Sequence, residues 1–201
     1  MKILKYTLVV LIALGAYGMP LVNAATLDIR GGTLFGVKGL SVGSYQYDVA
    51  FIGGSCVSLF NGCDEPTDFF FNDLDSAHLA NIALDAQVFV DSVLGNFDSE
   101  PNLTNGCTDP QSCSITTPLE ASGRFITRLA NLRNSSIEGL DSPNGSGGGI
   151  GIIADYGSDT YPERTYAVWS TASPVPIPPT IWMFGSALIG MISLLQKSRK
   201  A

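Results

Sequence analysis

Four cysteines, Cys56, Cys63, Cys107 and Cys113, are the side chains of this 201-residue chain best able to do covalent chemistry. Their even number favours disulfides in an oxidising compartment. Four cysteines allow three connectivities, and the sequence excludes none. The local pairs Cys56–Cys63 and Cys107–Cys113 are the favoured reading, because Asn61 and Gly62 in one interval and Asp109 and Pro110 in the other are turn residues. Structural zinc would need the shorter two- to four-residue spacing of zinc knuckles, whereas these intervals hold six and five residues. Rings this short contribute about 2 to 3 kcal/mol each in the loop-entropy account, so they are expected to pin loops rather than create the fold.

Other constellations point away from catalysis. His78 is the single histidine. Asp75 and Ser76 stand beside it on a predicted helix, where neighbours do not converge as nucleophile, base and orienter, and no G-x-S-x-G is present. Asp64, Glu65, Asp68, Asp73 and Asp75 are the densest acids. They could hold calcium but lack the ordered spacing of a calcium loop, and they read as a solvated acidic surface. Gly149, Gly151 and Ala154 imitate a dinucleotide fingerprint without a strand before them or a helix after them, so Asn144–Gly149 reads as a flexible loop. Asn102, Asn134 and Asn144 open N-x-[ST] matches. Phe69, Phe70, Phe71 and Trp169 could form an aromatic sugar platform, although a Phe triplet before a helix reads first as core. No catalytic residue, metal ligand or cofactor is expected.

The ends of the chain differ from its middle. Lys2 and Lys5, the apolar run from Tyr6 to Ala16, and small residues at Val22 and Ala24 make a secretory signal peptide, with the cut between Ala24 and Ala25 by signal peptidase. Near the other end, prolines precede an uncharged apolar stretch from Ile181 to Leu195 and a basic tail of Lys197, Arg199 and Lys200. Counted as helix from Pro179, that stretch is ~25 Å long, enough to cross a ~30 Å hydrocarbon core with snorkelling or local thinning. The basic residues outside both apolar runs place the middle on the outer side of the membrane. Between Ala25 and Ala172 six basic residues face eighteen acidic ones, a charge of −12 against −7 for the whole chain. A phosphate lattice would repel such a surface, so no nucleic-acid partner is expected.

Val175, Pro176, Ile177 and Pro178, followed by Thr180, Trp182, Phe184, Gly185, Ser186, Leu188 and Gly190 and then the basic terminus, resemble the PEP-CTERM sorting signal of Gram-negative bacteria. The resemblance covers roughly the last 27 residues in a V-P-x-P variant, with Ile177 where the motif carries an acid. It implies export, retention in the inner membrane by the tail, and processing around Pro176 to Pro178 by an exosortase, a membrane enzyme associated with exopolysaccharide production. Signal peptidase, exosortase, the inner membrane and an exopolysaccharide are the partners this implies.

The exported part reads as residues 25–172, between a signal peptide at 1–24 and a sorting segment at 173–201. Thr26–Phe35, with a Gly pair that suggests a bulge or turn, and Gly43–Ile52 read as strands, the second alternating Tyr45, Tyr47, Val49 and Phe51 on one face. Asp73–Leu94 predicts a helix of more than five turns, with Leu79, Ile82, Ala83, Ala86, Phe89, Val90 and Val93 inward and Gly95 as its stop. A long loop follows, with a short strand near Ser114–Leu119. Arg124–Arg133, Gly151–Tyr156 and Arg164–Thr171 read as strands, the last two joined through Asp155–Pro162 as a hairpin. The expected fold is α+β, a mostly antiparallel sheet with one long helix, followed by a transmembrane sorting helix. The expected function is a non-enzymatic envelope or matrix protein associated with exopolysaccharide or biofilm. A glycan-binding adhesin and a secreted hydrolase are the alternatives.

Overall fold

A computed structural model describes residues 24–122, 125–153 and 160–172. Ala24 is exposed, Ala25 packs against the core, and β1 (Thr26–Arg30) begins at the next residue. Then follow β2 (Thr33–Val42), β3 (Tyr45–Ile52), α1 (Cys56–Leu59), α2 (Leu74–Gln87), β4 (Asp91–Ser92), β5 (Gly95–Asn96), β6 (Ser112–Ser122), β7 (Phe125–Ser135), β8 (Ser142–Ile153) and β9 (Arg164–Thr171). Seven strands form one sheet in the order β1-β2-β3-β9-β6-β7-β8, and β4 and β5 form a separate hairpin. All neighbours in the large sheet are antiparallel except β6 and β9. Helix α2 touches β2 near one end of the sheet and β7 and β8 at the other, so the sheet curls around it.

The α+β expectation with one long helix is therefore corrected: the described chain is mostly β, with two short helices. Helix α2 starts as predicted, with the Ser76 amide donating to Asp73 at 2.7 Å. It ends at Gln87 instead of Leu94 because β-branched Val88, Val90 and Val93 suit extended backbone, and buried Val88 and Phe89 anchor the exit. Asp91 then accepts from the Asp98 and Ser99 amides, closing the β4–β5 hairpin in which Gly95 lies. The inward face also differs. Ala77, Ala80, Ala83 and Leu84 are buried while Leu79 and Ile82 are exposed, since small side chains let the helix sit deep in the curled sheet.

Thr26–Phe35 is two strands rather than one, β1 and the start of β2 joined at the Gly pair: Gly31 and Gly32, at φ +58° and +87°, take the left-handed pair that a two-residue connection requires. Three further readings change as well. Asn144–Gly149 is no loop but part of β8, where Ser146, Gly147 and Gly148 pair with Ala130, Leu129 and Arg128 of β7. A Cβ at Gly145 would come within 2.7 Å of the Asn131 carbonyl oxygen, so that close approach needs glycine. Asp155–Pro162 joins no hairpin, because β9 sits between β3 and β6, away from β8. The short strand near Ser114–Leu119 grows to the eleven residues of β6.

Residues 1–23, 123–124, 154–159 and 173–201 lie outside the described residues, and with them most of the expected signal peptide and the whole expected tail helix. Among the described residues no helix is long and apolar enough to cross a membrane.

Candidate functional site

The sheet has two faces with separate cores. On the α2 face Leu34, Val49, Phe51, Ile115, Leu132 and Trp169 belong to the main core. On the other face α1 and the turn after it cover β7 and β9 through Phe60, Phe69, Ile126, Leu129 and Tyr166. Both disulfides form as the turn residues suggested, with Cα separations of 5.6 Å for Cys56–Cys63 and 5.7 Å for Cys107–Cys113. They do more than pin loops. Cys56–Cys63 lies within the smaller core and Cys107–Cys113 within the larger one, all four cysteines buried. Two buried disulfides indicate an oxidising, exported location.

The cover on the second face stops short of β1, β2 and β3. There a cavity of about 300 Å³ is lined by Asp28, Phe35, Lys38, Asp48, Ala50 and Ser170. A second cavity of about 150 Å³ adjoins it, sharing Val168 and Trp169. The topology explains the second cavity. Strands β6 and β9 pair only from Ser114 to Thr116 and from Arg164 to Tyr166, and beyond that point Thr117 and Pro118 stand apart from Val168 and Trp169. The Trp169 indole N–H donates across the gap to Thr117 Oγ1 at 3.0 Å. The Phe triplet crosses at the same place: Phe69 joins the smaller core, Phe71 the larger, and Phe70 stays 41% exposed at the cavity rim.

The rings continue outward from the rim. Tyr47 meets Phe70, Phe71 and Trp169 edge-on at centroid distances of 5.5, 5.8 and 6.3 Å, and Tyr45 stacks on Tyr47 at 6.4 Å. The Phe triplet is thus mainly core, as its first reading has it: Phe69, Phe71 and Trp169 are buried, Phe69 in the smaller core against Phe60, and Phe70 alone of the four stays exposed. The acids are held in set positions. Arg30 donates twice to Asp28, which lowers the Asp28 pKa, and lies 4.8 Å from the centre of the Phe35 ring. The Gly39 amide donates to Asp48 at 2.8 Å. The amides of Glu65 and Asp64 donate to Asp68 and lower its pKa, the Glu65 bond contributing most.

Other residues singled out in the sequence do not converge. Asp64, Glu65, Asp73 and Asp75 are exposed, and among the described residues no group of three or more His, Cys, Asp or Glu is arranged to hold a metal ion. His78 sits half-buried on α2, its Nε2 without a hydrogen-bond partner. Asn134 is fully buried and donates to the Phe97 carbonyl, so it is closed to glycosylation. The tail residues Val175–Ser186 and Lys197–Lys200 lie outside the described residues. Sequence reasoning missed Asp28, Phe35, Lys38, Asp48 and Ser170. The alternation of β3 and β9 marks the outward position of Asp48 and Ser170, but only the sheet order brings those strands together.

Fold and site together define an exported, disulfide-linked β protein with a half-open sheet face. No known family, curated protein or solved structure matches the chain.

Proposed function

We propose that the protein is an exported, non-enzymatic component of the bacterial envelope or extracellular matrix, sorted by its tail and processed by an exosortase. The observation that carries this reading is the ordered tail, in which Val175, Pro176, Ile177 and Pro178 precede Trp182, Phe184, Gly185, Ser186 and a basic end. The apolar run from Ile181 to Leu195 would hold the precursor at the inner membrane until cleavage near Pro176 to Pro178. The disulfide-linked acidic part between Ala25 and Ala172 suits life outside the cytoplasm. An envelope or matrix role, associated with exopolysaccharide, follows from that address.

The test compares the mature mass and the cell fractionation of the chain in cells with and without an exosortase. A shortened product in the matrix fraction, lost when the enzyme is absent, is expected. An unchanged tail-bearing product in both strains overturns the sorting proposal.

A further inference from the structure

We propose that the uncovered sheet face is a binding groove for a neutral polysaccharide strand. The proposal deepens the matrix reading by naming what the exported part holds. The two cavities adjoin at Val168 and Trp169, and taken together they run across the strands from β1 to the gap before β6. Four strand spacings make that run roughly 19 Å, the length of a short stretch of linked sugars rather than of one small solute.

The direction of the groove disfavours a peptide added as a strand. Such a peptide pairs along a free sheet edge, whereas from β1 to β9 this groove crosses paired strands and meets a free edge only where β9 parts from β6. The lining fits a sugar chain. Phe70 offers an exposed ring for the C–H faces of sugar residues at one end of the depression, and Phe35 lines the other. Asp28, Asp48 and Asp68 line the depression as acceptors for hydroxyl groups, each already oriented by a guanidinium or backbone amide. Lys38 is the single cation among the lining residues of the two cavities, and the whole exported part carries −12. A uronic-acid or sulfated polymer would be repelled from such a surface.

The full chain in mild non-ionic detergent is run by native affinity electrophoresis through gels containing hydroxyethyl cellulose, dextran, galactomannan or alginate. Retardation by at least one of the three neutral polymers and not by alginate is expected. Phe70→Ala, which removes a rim ring together with its contacts to Tyr47 and Phe71, and Ser170→Trp, which fills the floor from an exposed position, should each weaken retardation at least tenfold while the circular dichroism spectrum and a cooperative melt show the variant still folded. No retardation by any neutral polymer, equal retardation by alginate, or retardation untouched by both variants overturns the groove. The sorting proposal fails separately: a protein processed and found in the matrix fraction but unretarded by sugars keeps its address and loses this ligand.

Discussion

Thr117 and Trp169 hold the open end of the sheet where β6 and β9 part, and replacing Thr117 by Val isolates that bond. Thr117 is 2% exposed and Trp169 6% exposed, so water does not replace the lost hydroxyl. Valine keeps the shape of threonine, and the cavity contribution is therefore close to zero. What remains is a buried indole N–H with no acceptor, which costs about 1 to 3 kcal/mol. Thr117→Ser keeps the hydroxyl and removes one buried methyl, a loss of about 0.8 kcal/mol in transfer terms. Adding Trp169→Phe to the Val variant removes the stranded donor, so the second substitution should cost less in that background than in the wild type. Urea unfolding followed by far-ultraviolet circular dichroism, which does not depend on the altered indole, measures the four proteins. A Val variant as stable as the wild type, or a Ser variant less stable than the Val one, refutes the claim that this bond closes the gap.

Replacing Cys56 and Cys63 together by Ala should lower stability by about 2 to 3 kcal/mol from chain entropy alone, read as a shift in urea midpoint. Gly106→Ala should destabilise by more than about 1 kcal/mol, because a Cβ there would meet Thr165 Oγ1 at 2.5 Å and the Gly53 amide nitrogen at 2.8 Å at φ +90°. Burial, with Asp141, Asp91, Asp85 and Glu138 nearby, raises the pKa of Asp98 above its ordinary 3.8, so its ionisation opposes folding. Asp98→Asn should therefore raise the melting temperature at pH 7, and the advantage should shrink as the pH falls through the raised folded value and vanish only well below 3.8, where the wild-type group is neutral in both states. Asp73 behaves oppositely: the Ser76 amide lowers its pKa, so its contribution is complete above the unfolded value and is lost as the pH falls through the folded one. Asp73→Ala should cost about 1 kcal/mol at pH 7 and less in acid, followed by melts across that range.

Local chemistry was legible in the sequence where it acts within a few residues. The disulfide pairs, the start of α2 after Asp73, the alternation of β3 and the position of β9 all depend on neighbours in the chain. The length of α2 was not legible, because Leu79, Ile82, Val90 and Val93 continue a helical period although the structure exposes all four. Their spacing says that one face is apolar, but which face is buried depends on how closely the helix must approach the sheet. Nor was β8 legible: its Asn, Ser and Gly residues have weak strand propensity, and pairing with β7 supplies what propensity lacks.

The sequence by itself determined the apolar, lysine-flanked ends, the acidic middle and the turns that bring each cysteine pair together, all of them properties of composition or short spacing. Only the tertiary structure decided that β9, last in the chain, inserts between β3 and β6, pairing with β6 for three residues. That insertion opens the gap beneath Phe70 and sets the two cavities side by side at Val168 and Trp169, because separation along the chain carries no information about which strand edges meet in space.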